Sequence, residues 1–386
     1  MSRVALGCER LLTDEAERIR GRRIGLITNH SGVDTQLCAT ADRLHQSDLC
    51  QLVALYGPEH GIRGAAQDGA KIASCADPRT GVPVHSLYGA TRKPDAAMLE
   101  GVELMLFDIQ DVGARFYTYL YTMSLAMSAC AKAGIPFVVL DRPNPIGGQA
   151  LAGNLLDPTF ASFVGLYPIP VRYGLTIGEI ARLFNAEYAL GAELDVVPMT
   201  GWRRTDYWDD LDLPWVPPSP NMPTIDTAAV YPGTCFFEGT NISEGRGTAK
   251  PFEQFGAPFI DGARLADELN AHNLPGVLFR PVFFEPAAGK YAGQLCAGVQ
   301  LHVGDHAAFE PLLTGFSALA AVRRLYADDF AWRVPQGGIH NFDRLAGTDQ
   351  IRLALDHGMP ATELVASWTQ DLQAFARTRQ SYLAYA

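Results

Sequence analysis

The sequence predicts an α/β protein with a Rossmann-like parallel sheet in its N-terminal domain and a smaller α+β C-terminal domain. Three observations carry the prediction. Short, continuously apolar runs recur through the first two-thirds of the chain, the pattern of strands covered on both faces. Helix-like stretches alternate with those runs, which implies βαβ crossovers. After residue 211 the pattern stops, and five prolines fall within the eleven residues 214–224.

In chain order, the first strand is RIGLIT, 23–28, followed by a helix expected over 34–46. QLVALY, 51–56, is the second strand, and a short helix is expected over 94–100. VELMLF, 102–107, leads to a helix over 119–133, which Gly134 ends as a left-handed C-cap. PFVVL, 136–140, is the fourth run. Thr176 with Glu179 three residues on forms a capping box opening a helix to about residue 190. The proline-rich segment 214–224 suits neither a helix nor a central strand. Beyond the polar glycine loop 241–248, a helix is expected over 262–271 and strands over 277–284 and 298–303. Helices are then expected over 306–326, 349–357 and 360–383. The domain boundary is placed between 245 and 255, dividing the chain into 1–248 and 249–386.

Composition narrows the function classes. Thirty-one Lys and Arg stand against 42 Asp and Glu, a net charge of −11 with no basic stretch, which disfavours a nucleic-acid partner. No apolar run approaches a membrane span, and the N-terminus turns charged at Asp14 without a signal-peptide core, so a cytoplasmic protein is expected. Seven scattered cysteines without C-x-x-C argue against both a disulfide framework and a zinc site. G-x-G-x-x-G, a Walker loop, H-E-x-x-H and G-x-S-x-G are all absent, so neither cofactor nor metal is expected.

Polar motifs follow the strands. The first run ends in Asn29, His30 and Ser31; the second in Gly57-Pro58-Glu59-His60-Gly61-Ile62-Arg63-Gly64. The third ends in Asp108, Asp111 and Arg115 followed by Tyr117 and Tyr119, and the fourth in Asp141, Arg142 and Asn144. In an open parallel sheet these ends share one edge, where ligands bind. The candidate carboxylates are Glu59, Asp108, Asp111, Asp141 and Glu244; the candidate arginines are Arg63, Arg115, Arg142, Arg172 and Arg246. Two carboxyl groups serve glycoside hydrolysis, guanidinium forks suit a substrate carboxylate, and Tyr117, Tyr119, Tyr173, Trp202 and Trp215 offer faces for sugars. Structural readings stand beside these. Asp141 also reads as a turn or N-cap residue, Asp108 and Asp111 as partners of Arg115, and the tyrosines as packing.

The same segments carry a family likeness. GLITNHSG (25–32), LYGPEHGIRG (55–64), LFDIQDVGARFYTYLYTM (106–123), LDRPNPIGG (140–148), PPSPNMPT (217–224) and YPGTCFFEGTNISEGRGT (231–248) resemble the YbbC-type family, once of unknown function and now associated with exo-acting β-N-acetylmuramidases. The resemblance implies removal of terminal N-acetylmuramic acid (MurNAc) from peptidoglycan fragments such as MurNAc-GlcNAc, in a cleft between the two domains. It makes Glu59 the leading catalytic candidate, as general acid, with His60 orienting it. Glu244 is expected as the second carboxylate, with Asp108 and Asp111 behind it, unless the substrate's acetamido group takes that part. Arg142 and Arg172 are first choices for the lactyl carboxylate, and Asn29, Asn144, Asn221 and Asn241 join the expected binding set. The rival readings are a non-catalytic binder of acidic sugars and a hydrolase of a different acidic amino sugar.

Overall fold

The computed structural model describes residues 3–59, 61–64, 75–89, 91–334 and 338–386, with only the backbone of Cys75. Its strands are β1 (Arg23–Thr28), β2 (Gln51–Gly57), β3 (Cys75–Ala76), β4 (Pro83–Ser86), β5 (Leu104–Asp108), β6 (Phe137–Leu140), β7 (Leu194–Val197), β8 (Gln254–Ala257), β9 (Val277–Phe284) and β10 (Cys296–Val303). Its helices are α1 (Gly7–Leu11), α2 (Thr40–Gln46), α3 (Tyr119–Ala133), α4 (Ile177–Glu187), α5 (Ile225–Thr234), α6 (Gly262–Ala271), α7 (Pro311–Leu325), α8 (Asn341–Ala346), α9 (Gln350–Asp356), α10 (Ala361–Ala366) and α11 (Thr369–Arg379).

The larger sheet runs β3-β4-β2-β1-β5-β6-β7, parallel throughout except for β3 at the edge. Its apolar strands alternate between two covered faces. Met105, Phe107, Phe137 and Val139 pack with α3 and α4, while Leu104, Leu106, Val138 and Leu140 pack with α1, α2 and Trp202. This double cover is why the sequence shows continuous apolar runs. β1 lies between β2 and β5, so the strand order reverses at β1 and opens a crevice above its carboxyl end.

The second sheet is antiparallel, β8-β10-β9. Helix α5 crosses α7 at Gly233 and Gly315, where a Cβ on either residue would run into the other helix's backbone. One apolar cluster joins this half to the α3–α4 face of the larger sheet. The expected division at 248/249 falls in the loop between α5 and β8. The chain ends by returning to the first half: Tyr385 Oη donates to Asp141 at 2.5 Å, and Arg204 N donates to Ala386 O at 2.9 Å.

Several local expectations hold for the reasons given. Gly134 ends α3 at φ +66°, and Thr176 and Glu179 cap α4 reciprocally. The helix expected over 34–46 shrinks to α2. Asp34 Oδ1 accepts from Gln36 N and Cys38 N, both at 2.9 Å, and that local turn replaces the first helical turns. The helix expected over 94–100 is replaced by turns over 96–101, and the helix expected over 360–383 breaks into α10 and α11 near the buried Trp368.

Candidate active site

The four polar strand ends do share one edge, at the carboxyl ends of β1, β2, β5 and β6. Beyond β2 the chain turns tightly, with Gly61 N donating to Pro58 O at 3.0 Å. Glu59 sits in this turn, half-buried. Gly64 has φ +71°, and a Cβ on it would lie 2.8 Å from the His30 ring, so the loop closes directly onto the end of β1. His60 lies outside the described residues.

The proline-rich segment is stitched over these loops. His30 Nε2 lies 2.6 Å from Pro217 O, while Asn29 Nδ2 and Tyr119 Oη donate to Pro218 O at 3.3 and 2.7 Å. Asn29 Oδ1 in turn accepts from Ser31, whose hydroxyl accepts from Gln110 N at 3.0 Å. Asn221 is half-buried in the turn that follows, where Met222 N donates to Ser219 O. Trp215 is also in this segment, edge-on to Trp208, and Trp202 is edge-on to Tyr385, so both tryptophans serve packing.

From Tyr119 a row of buried aromatic rings, the aromatic wall of this half, leads to the second half of the chain. Tyr119 meets Tyr117 at 5.0 Å between ring centroids, Tyr117 meets Tyr231 at 6.0 Å, and Tyr231 meets Phe252 at 4.8 Å, all edge-on. Arg246 lies over Phe252, its guanidinium carbon 5.1 Å from the ring centre. Phe252 itself has φ +63°, costly for a bulky residue, and its N–H donates to Glu244 O at 2.6 Å. That bond folds the 244–252 loop back under the wall.

At the end of the wall stands a cluster of four charges. Arg246 pairs with Glu238 Oε1 through Nε at 2.8 Å and Nη2 at 2.7 Å. Lys290 Nζ donates to Glu244 at 2.8 Å and to the carbonyls of Phe237 and Ile242, both at 2.7 Å. Burial raises the Glu238 carboxyl and lowers the Lys290 ammonium, against the pull of Arg246 and Glu244 respectively. Sequence reasoning missed Glu238 and Lys290. The only signal for Glu238 was its place in the same glycine-rich motif as Glu244.

Many of the other expected site residues turn out to build the loops. Arg142, a first choice for a substrate carboxylate, is 4% exposed and grips Asp108, which is 0% exposed, through Nε–Oδ1 at 2.6 Å and Nη2–Oδ2 at 2.9 Å. Asp108 therefore holds an arginine inside the protein. Arg172 is buried, with Nη2 donating to Ile146 O and to Tyr207 Oη. Arg115, fully buried, donates to the carbonyls of Asn154, Ile169, Leu345 and Ala346, and burial lowers its pKa to about 10. It joins the α8 end to the first half; neither Asp108 nor Asp111 pairs with it. Asp111 accepts from Gly113 N and Tyr173 Oη, and burial raises its pKa to about 6. Asp141 accepts from Thr176, Gly178 and Tyr385, and is likewise raised to about 6 by burial. Arg63 is drawn to Asp77 and Asp42. Asn144 braces its own turn and Leu175 O, and Asn241 ties its loop to Asp329 and Ala331.

Among the described residues no group of three or more His, Cys, Asp or Glu is placed to hold a metal ion, and no helix is long and apolar enough to cross a membrane.

The likeness to known proteins covers the whole chain. Family models described as "Exo-beta-N-acetylmuramidase NamZ" match in two parts, the N-terminal one over residues 24–226 and the C-terminal one over 229–385. A Bacillus subtilis (strain 168) protein named "Peptidoglycan beta-N-acetylmuramidase NamZ" is 50% identical over 383 residues, 99% of this chain and 92% of that protein. Two crystal structures of DUF1343 family proteins from Bacteroides fragilis NCTC 9343 each cover 100% of this chain, with 99% of their own lengths matched. One superimposes with a TM-score of 0.90 at 38% identity, the other with 0.78 at 30%. The chain belongs to the exo-beta-N-acetylmuramidase NamZ family.

Proposed function

We propose that this protein is an exo-acting glycosidase that releases MurNAc from the non-reducing end of peptidoglycan fragments such as MurNAc-GlcNAc, with Glu59 as its general acid. Full-length similarity to a peptidoglycan β-N-acetylmuramidase supports the activity and the sugar. A single observation supports Glu59. Of the five expected carboxylates, Asp108, Asp111, Asp141 and Glu244 are all buried and held by internal donors, whereas Glu59 is half-buried in a loop at the sheet edge.

In this reading Glu59 gives its proton to the glycosidic oxygen as the bond to the anomeric carbon breaks. The burial of the other four carboxylates favours the substrate's acetamido oxygen as the group that bonds to that carbon, closing an oxazolinium ring. Water then opens the ring, and Glu59, now a carboxylate, takes the water's proton. Tyr117 and Tyr119 pack edge-on behind the sheet edge, and Asn29 bonds the proline-rich segment to it.

The test is Glu59→Gln with both MurNAc-GlcNAc and 4-nitrophenyl β-MurNAc. Removing a general acid costs roughly 10²–10⁴-fold, and the loss should be larger for the disaccharide, whose leaving group needs the proton. Turnover of the disaccharide within tenfold of wild type removes Glu59 from this role. Wild-type protein that binds the disaccharide without releasing MurNAc, followed by mass spectrometry, refutes the enzymatic reading altogether.

A further inference from the structure

We infer that Asp77, acting through Arg63, is the positioning residue that fixes the loop carrying Glu59. The inference rests on the reading of Glu59 as general acid, and it gives a part in the reaction to a carboxylate on the neighbouring β3–β4 hairpin.

A general acid works only while its proton stays within hydrogen-bond reach of the leaving oxygen. Glu59 stands on an irregular turn, so no helix or strand ladder holds it there. At its start the turn grows out of β2, where Gly57 pairs with Ser86 of β4 and Gly57 O accepts from Leu87 N at 2.8 Å. The bond from Gly61 N to Pro58 O then curls the chain. A Cβ on Gly57 would lie 3.2 Å from Gly61 Cα, so the turn folds back on its own start. Past the turn Ile62 is buried, and the Arg63 side chain reaches out to the β3–β4 hairpin.

There Asp77 receives it. Arg63 Nε donates to Asp77 Oδ1 at 2.9 Å and Nη2 to Oδ2 at 2.7 Å, the two-oxygen fork that gives such a pair direction as well as strength. Nη2 also reaches Asp42 Oδ1 on α2 at 2.7 Å. Asp77 is itself held. Its side chain is 1% exposed, Oδ2 accepts from Thr80 N and Oγ1 at 3.0 and 2.8 Å, and its own N–H donates to Val82 O at 2.9 Å. The second strand of the hairpin, β4, is in turn registered on β2 through Leu55–Val84, Tyr56–His85 and Gly57–Ser86. The contacts thus close a circuit. It runs from β2 through the Glu59 turn to Arg63, across the fork to Asp77, along β4 and back to β2. A closed circuit fixes the turn against the sheet edge, where a single tether would let it swing. Hydrogen bonding from Arg63 lowers the Asp77 pKa to about 2, so the fork stays charged at working pH.

The experiment uses the leaving group to tell positioning from mere stability. Asp77→Asn keeps the size of the side chain but removes the charge and one acceptor of the fork. It is compared with wild type, Arg63→Lys, Glu59→Gln and the Asp77→Asn, Glu59→Gln double variant on MurNAc-GlcNAc and 4-nitrophenyl β-MurNAc. The nitrophenolate leaves with little help from a proton, whereas the sugar oxygen of the disaccharide needs one. A misplacement of about 1 Å costs about 10²-fold, so Asp77→Asn should lower kcat for the disaccharide by about 30- to 100-fold and for the nitrophenyl glycoside by less than about fivefold, with each KM within about threefold of wild type. Arg63→Lys, which keeps the charge without the fork, should fall between wild type and Asp77→Asn. In the Glu59→Gln background Asp77→Asn should add less than about threefold, because it acts through a carboxyl that is no longer there. Equal losses on the two substrates, or a multiplicative loss in the double variant, overturn the inference. So does wild-type activity of Asp77→Asn on the disaccharide while Glu59→Gln shows its full loss. Glu59→Gln turnover within about tenfold of wild type instead removes the general-acid reading, and the inference with it. Should Asp77→Asn fail to fold by circular dichroism, Arg63→Lys takes its place, and an equal or absent loss on the two substrates overturns the inference.

Discussion

Arg142→Met separates a structural arginine from a substrate-binding one. The Arg142 guanidinium spans both oxygens of Asp108 at 2.6 and 2.9 Å and also donates to Val33 O at 2.8 Å, with both side chains almost wholly inside the protein. The Asp108 carboxylate beside it holds the Arg142 pKa above its usual value in spite of burial. Methionine fills similar space but leaves Asp108 as a buried charge without its partner. Breaking a buried pair in this way costs about 3–5 kcal/mol. For a chain of 386 residues the unfolding entropy is roughly 0.8 kcal/mol per degree, so Tm should fall by about 5 °C. Adding Asp108→Asn should recover part of the loss, because the stranded charge goes with it. Thermal melts followed by circular dichroism, paired with steady-state kinetics on β-MurNAc, decide the matter. A melting point within 1 °C of wild type, together with a large rise in KM, refutes the structural reading and returns Arg142 to the substrate.

Two further outcomes follow from buried groups. Asp111 has its pKa raised to about 6 by burial, so it favours folding when protonated. Its contribution is full below about pH 4, the unfolded value, and is lost as pH rises through about 6, amounting to about 3 kcal/mol at most. Asp111→Asn should therefore flatten the fall in urea midpoint between pH 4 and 7, and an unchanged slope removes Asp111 as its source. Gly233→Ala places a methyl against the Pro311 carbonyl at the α5–α7 crossing. A loss of about 2 kcal/mol or more is expected in denaturant titration, and a neutral result means that the helices can part without cost.

How far the fold could be read depended on the length and setting of each element. β1, β2, β5 and β6 were legible because each is apolar on both faces and is followed by a turn or a polar motif. β7 was not: Asp195 lies on its exposed side, and four residues are too few to establish a period. α5 escaped because Pro232 sits inside it and the preceding segment is proline-rich. The helix expected over 34–46 failed at Asp34, whose side chain bonds its own backbone more readily than it starts a helix. In the candidate site, Glu59 stood out in the sequence through its constrained glycine-proline loop. Glu238 and Lys290 did not: Glu238 meets Arg246 from eight residues earlier through an irregular turn with no sequence period, and Lys290 meets Glu244 from a loop 46 residues away.

The arginines make the more general point. In an acidic chain of net charge −11, Arg63, Arg115 and Arg142 at three strand ends, with Arg172 and Arg246 further on, look like a prepared anion site. Loops rich in glycine and proline, however, turn without regular ladders and leave carbonyls that must be satisfied inside the protein. A guanidinium offers several donors in one plane and meets that need as readily as it meets a carboxylate. Arg115 serves four carbonyls from three separate segments, Arg172 serves Ile146 O, and Arg379 reaches the carbonyls of Gln149 and Gly174. Arginine enrichment around such a site follows from the irregularity of its loops before it says anything about the ligand.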